Sequence, residues 1–315
     1  MNADISARVQ RLVENVEQVV FGKHDVVKLC VVGLLARSHI LIEDVPGIGK
    51  TTIAQAIARS IDCSFSRIQF TSDMLPSDIL GVSILDHKTN DFKFRSGPIF
   101  ANVVLADEVN RTPPKTQSAL LEAMSEYQVS VDGKTHTLPR PFIVMATQNP
   151  IEYEGTYTLP ESQLDRFILR VEIGYPPEED ELHIMRRRNP LKALEDLKPV
   201  LTGQGLLELQ DHVGDITVDD GVARFMLAIV QATREHEQIQ LGASPRGALL
   251  FYEACQARAL VEGRDFVTPD DVKQMTVPVL GHRILVRSRG ADLATAARER
   301  ERVLLEILKR TPVPV

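Results

Sequence analysis

The stretch Glu43-Asp44-Val45-Pro46-Gly47-Ile48-Gly49-Lys50-Thr51-Thr52 contains two glycines, a lysine and two hydroxyls within six positions. Glycines there let consecutive backbone N–H groups turn inward around a polyanion, and a helix starting at the lysine adds the positive end of its dipole. In such a loop Lys50 can reach the β and γ phosphates of a nucleotide and Thr51 can bind Mg²⁺. Pro46, Gly47, Ile48, Gly49 and Thr52 complete the expected cradle. The usual pattern, G-x-x-x-x-G-K-[ST], opens on glycine, and Asp44 stands in its place. An acid beside phosphates is unfavourable unless its side chain turns away, although Asp tolerates positive φ better than most residues.

About sixty residues further on, Val103-Val104-Leu105-Ala106-Asp107-Glu108 reads as an apolar strand ending in two carboxylates. An acid at the carboxyl end of a strand lies at the ligand edge of an open parallel sheet. Asp107 can there hold the water shell of magnesium, and Glu108 can activate an attacking water. Burying such a pair for purely structural reasons is costly.

These groups need elements to carry them. A strand is expected over His39 to Ile42 and a helix over Lys50 to Ile61, with further strands near Ser66 to Phe70, Val103 to Asp107, Phe142 to Thr147 and Phe167 to Ile173. Strands alternating with helices imply an α/β fold, a mostly parallel sheet with helices on both faces. Ahead of it, Val9, Leu12, Val13, Val16, Val19 and Val20 recur at helical spacing, predicting an amphipathic helix that ends near Gly22, then a second over Asp25 to Arg37. Two hairpins interrupt the alternation: Val82 to Leu85 with Phe92 to Phe94 inside 72–98, and Gln128 to Val131 with Thr135 to Leu138 around Asp132-Gly133. After Gly174-Tyr175-Pro176-Pro177 strand signals nearly vanish. Ser244-Pro245 and Thr268-Pro269-Asp270-Asp271 each read as the capped start of a helix. The expected division is 1–190 for the α/β core and 191–315 for a helical domain.

The whole chain has 315 residues, long for one core, with 43% hydrophobic and 25% charged residues and a net charge of −7. That composition suits a globular protein, and the acidic balance weakens a nucleic-acid reading without removing it. Cys30, Cys63 and Cys255 lack ligand or disulfide spacing and read as small hydrophobes in a reducing compartment. The longest uncharged apolar run, Leu29 to Ala36, is too short to span a bilayer, and no apolar signal peptide is visible, so a cytoplasmic protein is expected.

With both nucleotide motifs placed, three further stretches carry a resemblance. They are residues 107–124, from Asp107-Glu108-Val109-Asn110-Arg111 to Ala123-Met124; Ala146-Thr147-Gln148-Asn149-Pro150 with Glu154-Gly155-Thr156-Tyr157; and Leu159 to Phe167, ending Leu164-Asp165-Arg166-Phe167. Together they closely resemble the MoxR family of AAA+ ATPases over roughly residues 20 to 310. The resemblance implies a P-loop core with an all-helical lid, ATP and Mg²⁺ as cofactors, and a ring of identical subunits, six being the family expectation. It implies that Asn149 is the first sensor, positioning the attacking water, and that Arg166 is an arginine finger reaching the γ-phosphate of the next subunit. Arg246, in Gly-Ala-Ser-Pro-Arg-Gly, matches the second sensor, tying the lid to the phosphate. A cation in the first turn of a helix opposes the dipole unless an anion lies nearby, and a phosphate would supply one. Residues 72–98 look like the helix-2 insertion of this clade and 127–140 like the hairpin before its first sensor, both facing a central channel.

Members of this family are thought to act as chaperones that mature protein complexes or insert metal cofactors, often with a partner carrying a von Willebrand factor A domain. A nucleic-acid translocase on the same ring is the alternative. Its support is Lys88, Lys93, Arg95, Lys134, His136 and Arg140 on the two hairpins, which a solvated surface explains equally well. A nucleotide-dependent scaffold with little turnover is a third reading, disfavoured by Glu108.

Overall fold

The computed structural model describes residues 3–149, 157–186, 190–287 and 293–314. Helix α1 (Ala3–Glu17) buries Val9, Leu12, Val13 and Val16 completely, as its spacing predicts. It stops short of Gly22: residues 18–20 form a turn, and Gly22 takes φ +64°. A side chain there would meet the Asp180 carboxylate at 2.4 Å and Pro177 at 2.8 Å, so only glycine allows this close approach. Helix α2 (His24–Leu35) follows and leads into β1 (His39–Glu43), the phosphate loop and α3 (Lys50–Ser60).

Strand β2 (Phe65–Gln69) precedes the first insertion, formed by α4 (Pro76–Leu80), β3 (Gly81–Asp86) and β4 (Asp91–Ser96). Then come β5 (Val103–Asp107), α5 (Pro114–Glu126), the hairpin β6 (Gln128–Val131) and β7 (Lys134–Thr137), β8 (Ile143–Gln148), α6 (Glu161–Leu164) and β9 (Phe167–Val171). Five strands form one parallel sheet in the order β2-β5-β8-β1-β9. Its side chains alternate as the pleat requires. Ile40, Ile42, Val103, Leu105, Ile143 and Met145 pack with α1, α2 and α3, while Leu41, Val104, Ala106, Val144 and Ala146 pack with α4 and α5.

Both hairpins form where expected. Asp132 and Gly133 take positive φ, the geometry of a two-residue turn that matches strand twist. Phe94 of β4 stacks on His136 of β7 at 3.8 Å, so the two insertions touch. Lys93 is paired with Asp86 at 2.6 Å, which removes part of the basic cluster read from the sequence.

The rest is α7 (Glu178–Arg186), α8 (Pro190–Glu195), α9 (Gly203–Asp211), α10 (Asp220–Glu235), β10 (Ile239–Leu241), α11 (Pro245–Val261), α12 (Pro269–Leu280), β11 (Leu285–Val286) and α13 (Leu293–Arg310). The two predicted caps are present: Ser244 Oγ accepts from Gly247 N at 2.9 Å, and Thr268 and Asp271 form a reciprocal capping box. A small antiparallel sheet, β10 with β11, was not foreseen; at three and two residues its strands are too short for an alternation signal.

Helical segment and sheet share one hydrophobic core, in which Phe251, Leu260, Met275 and Leu280 join α1, α2 and α3. A polar joint reinforces it at the amino end of β9. Arg283, only 5% exposed, donates to Asp165 Oδ1 at 2.8 Å, to the Ile168 carbonyl at 3.1 Å and to the Phe167 carbonyl. Burial pulls its guanidinium down to about 10 against the opposing pull of Asp165. Ser244 Oγ donates to the other oxygen of Asp165 at 3.0 Å, tying the start of α11 to the same carboxylate.

Candidate active site

Strand β1 delivers the loop to the carboxyl end of the sheet, beside β8 and β5. Gly47 and Gly49 take φ +87° and +91°, and Gly49 caps α3. The Lys50 ammonium donates to the Asp44 carbonyl at 2.6 Å. Burial lowers its pKa, while Asp107, Asp44 and Glu108 pull it back up. It is therefore a cation surrounded by acids and half withdrawn from water, poised for an anion of higher charge.

Asp44 adopts no positive φ and turns its carboxylate away from the loop. Oδ1 accepts from Val45 N at 2.8 Å, and Oδ2 accepts from Ile173 N at 2.7 Å and Gly174 N at 2.6 Å. The acid in place of the first glycine thus fastens the segment after β9 to the phosphate loop, and its charge is spent on backbone donors.

Both acids ending β5 lie at the same edge. Asp107 Oδ1 accepts from Thr147 Oγ1 at 2.7 Å, and Oδ2 accepts from Arg67 Nη2 at 2.5 Å. Glu108 takes the left-handed conformation, φ 59°, which costs a non-glycine residue on the order of 1–3 kcal/mol. Its amide donates to Thr147 Oγ1 at 2.9 Å, and its carboxylate accepts from Gln69 Nε2 at 2.8 Å and Arg111 Nη1 at 3.1 Å. Thr147 is the hinge of this pair, and Arg67 balances its charge. Neither has a signal of its own in the sequence, since a threonine in an apolar strand and an arginine on an edge strand are common. Asn149, 6% exposed, directly follows β8 and shares this edge.

The loop opens on a cleft of about 500 Å³ lined by Pro46, Gly47, Ile48, Gly49, Thr51 and Thr52. Its other wall was not anticipated: Val19, Val20, Phe21, Ile173, Tyr175, Ile184 and Leu194 make a mainly apolar slot next to the phosphate cradle. An apolar slot beside an anion cradle suits a flat heterocyclic base joined to phosphates. The signal available was Gly22, which ends the apolar run and closes it against α7.

Arg166 and Arg246 are elsewhere. Phe167 pairs with His39, so Arg166 lies at the amino end of β9 while the loop leaves the carboxyl end of β1, more than about 13 Å away along the strand. The Arg166 guanidinium donates to the Leu121 carbonyl at 2.6 Å and to Ser125 Oγ, on the last turns of α5. Arg246, exposed in the first turn of α11, is held by the Ser244–Asp165 bond at this same amino end, and its charge is felt by Tyr127 and Arg283 there. The expectation that Arg246 ties the lid to the phosphate thus does not hold within one chain. The structure brings together Lys50, Thr51, Thr52, Asp107, Glu108 and Asn149 at one edge, and Arg166 and Arg246 at the other. Pro150 and the Glu154-Gly155-Thr156 stretch lie outside the described residues.

Among the described residues no group of three or more His, Cys, Asp or Glu side chains converges as a metal site, and no helix is long and apolar enough to cross a membrane. The thiols are unreactive in kind: burial pushes Cys30 up to about 12 and Cys63 up to about 11.

Comparison with known proteins agrees with this geometry. Residues 39–169 match the ATPase family associated with various cellular activities (AAA), and residues 231–307 match the AAA lid domain. The uncharacterized protein YeaC of Bacillus subtilis is 46% identical over 312 residues, covering 99% of this chain and 97% of that one. Chaperone MoxR1 of Mycobacterium tuberculosis is 42% identical over 289 residues, 88% of this chain and 76% of its own. A crystal structure from Cytophaga hutchinsonii, described as that of a candidate ATPase, superposes with a TM-score of 0.87 at 34% identity, covering 99% of this chain and 96% of that one. With a five-stranded parallel sheet, both AAA domains matched and these relatives, the chain is an ATP-hydrolysing enzyme and belongs to the MoxR family of AAA ATPases.

Proposed function

We propose that the chain hydrolyses Mg-ATP at sites shared between neighbouring copies, and that it forms a closed ring, a hexamer by family expectation. The observation supporting this is the separation of the cradle from both arginines along one sheet. Phosphoryl transfer gains from cations that meet charge developing on the terminal phosphate, and this chain's own Arg166 and Arg246 face the wrong way to supply it. A head-to-tail contact between copies brings them there, and such a contact repeated round a closing rotation makes a ring.

In this reading Pro46 to Thr52 hold the phosphates, Lys50 pairs with the β and γ oxygens, and Glu108 takes a proton from the attacking water that Asn149 orients. Thr51 and Asp107 are the residues that would hold magnesium. One hydroxyl and one carboxylate leave room for phosphate oxygens and water, the donor set this ion prefers, and the metal would supply positive charge against that of the phosphates. Arg166 and Arg246 of the next copy complete the site in trans. The domains are 1–190 for the core and 191–315 for the lid. By analogy with the relative named as a chaperone, the work done is remodelling or maturation of a protein complex, including insertion of a metal cofactor, with a von Willebrand factor A domain protein as the partner and the cytoplasm as the place. The acidic net charge and the neutralised hairpin lysine argue against a nucleic-acid translocase.

The decisive experiment mixes variants. Glu108→Gln should bind Mg-ATP yet lose about 10²–10⁴ in phosphate release, and a variant with full steady-state turnover refutes its role as base. Arg166→Ala and Arg246→Ala should each be inactive alone and regain turnover when mixed with Glu108→Gln protein, which lends its arginines to intact cradles. If no Arg246→Ala mixture recovers while the Arg166→Ala mixture does, Arg246 acts within its own chain.

A further inference from the structure

Asp107 already carries a cation supplied by the chain itself. Arg67, on β2, donates to Asp107 Oδ2 from Nη2 at 2.5 Å and from Nε at 3.2 Å. The other oxygen, Oδ1, takes the Thr147 hydroxyl at 2.7 Å, and that hydroxyl in turn accepts from Glu108 N at 2.9 Å. Three of about four acceptor sites on the carboxylate are thus filled. The two sides are held differently. Thr147 is fully buried in β8, the middle strand of the sheet, and is bonded in both directions. The Arg67 side chain is 49% exposed on the edge strand, and its remaining contact, from Nη2 to Gln69 Oε1 at 3.2 Å, is to a neutral group.

We infer that Arg67 is a displaceable counter-ion, which keeps Oδ2 of Asp107 until Mg-ATP binds and then gives that oxygen up and turns to solvent. This rests on the reading of Asp107 as a magnesium residue and adds the group that competes with the metal for it. Asp107 and Glu108 are adjacent carboxylates that both draw on Lys50, and each has an arginine besides, Arg67 for the first and Arg111 for the second. A dication sharing Asp107 would repel a guanidinium held on the same carboxylate. Of the groups on Asp107 only the arginine is free to leave. Its long side chain regains rotamer freedom and hydration on release, and a half-exposed ion pair holds it weakly. Without Arg67, a nucleotide arriving without its metal would meet the charge of Asp107 uncompensated.

The test measures the affinity of the full chain for a fluorescent, non-hydrolysable ATP analogue in EDTA and in saturating Mg²⁺, the ratio of the two being the metal's contribution to binding. Arg67→Met and Arg67→Gln should each raise that ratio by about threefold to tenfold. They should do so by weakening binding in EDTA, where Asp107 then repels the phosphates, while binding with Mg²⁺ stays at the wild-type value. Arg67→Lys keeps a cation beside the carboxylate and should fall nearer the wild-type ratio than either. An unchanged ratio with weaker binding in both media would make Arg67 a phosphate ligand, and an unchanged ratio with unchanged binding would make it an ordinary surface ion pair; each overturns the inference. Asp107→Asn tests the reading beneath it and should lower the ratio whether Arg67 is present or replaced. A ratio that Asp107→Asn leaves at the wild-type value takes magnesium away from Asp107, and the inference goes with it.

Discussion

At the carboxyl ends of β1, β5 and β8 the chain turns backbone N–H groups outward, strains Glu108 into a left-handed conformation and gathers Lys50 among acids. At the amino ends of β1 and β9 cations are instead tied down by internal carbonyls and by Asp165. One edge is built to receive charge and the other to present it. The lesson is that a residue's place in the strand, and not its distance in sequence, decides which edge it belongs to. Asp165 and Arg166 are adjacent, yet the first locks the joint between sheet and lid while the second bonds to the last turns of α5.

The comparison is broken most severely through Arg166. Arg166→Ala should lower turnover by about 10³–10⁵ while leaving nucleotide binding by the separate chain intact, since nothing of its own cleft is touched. Turnover near the wild-type rate in the assembled variant would make the amino edge irrelevant to chemistry.

Removing one cation from each edge should give opposite readouts. Arg283→Met leaves Asp165 without its buried partner and strips donors from the carbonyls of residues 167 and 168. Loss of one member of such a buried pair costs about 3–5 kcal/mol, measurable by urea unfolding. Lys50→Met should abolish nucleotide binding and leave the unfolding midpoint nearly unchanged, because its ammonium bonds to a carbonyl of its own loop. Equal destabilisation by both would mean that the two edges are alike in kind.

A smaller effect comes from Asp44→Gly, which restores the usual opening of the phosphate loop. The amides of Ile173 and Gly174 then lose their acceptor, at about 1–3 kcal/mol for each buried donor left unsatisfied. Calorimetry should show a lower melting temperature and a weaker response to added ATP; a more stable variant would show that the carboxylate is a burden at this position.

Much of this was legible in the residues. Pro46 to Thr52 and Asp107-Glu108 announce themselves because glycine torsions and terminal carboxylates are local requirements, and the strands of the sheet alternate as the pleat demands. Thr147, Arg67 and Arg283 did not, because each is defined by a partner 40 to 118 positions away and by nothing in its own neighbourhood. Arg246 was found as a residue, but the edge of the sheet it would lie at was not. Its motif marks a helix start, but which end of the sheet that start meets depends on Ser244 reaching Asp165 across 79 positions. The apolar wall of the cleft was missed for a similar reason, being assembled from residues 19–21, 173–176, 184 and 194.

The mildest test concerns His39, at the amino end of β1, and its response to pH. Val144 N donates to its Nδ1 at 3.0 Å, which requires that nitrogen to be bare, so Nε2 carries the hydrogen and donates to the Met124 carbonyl at 2.9 Å. Burial lowers its pKa from 6.5 to about 4, with the Met124 carbonyl opposing in part. The unfolded chain therefore takes up this proton at higher pH than the folded one. Stability is whole above pH 6.5 and falls as pH drops toward 4, at about 1.4 kcal/mol per pH unit and by roughly 3 kcal/mol in all. His282, buried and also held below its usual value by burial and by Arg283, acts in the same direction. His39→Gln should be less stable at neutral pH but flatter between pH 6.5 and 4, its slope smaller by one proton. Parallel curves for the variant and the wild type in urea titrations would show that this imidazole takes up its proton alike in both states, and that the amino edge is less sealed than its hydrogen bonds imply.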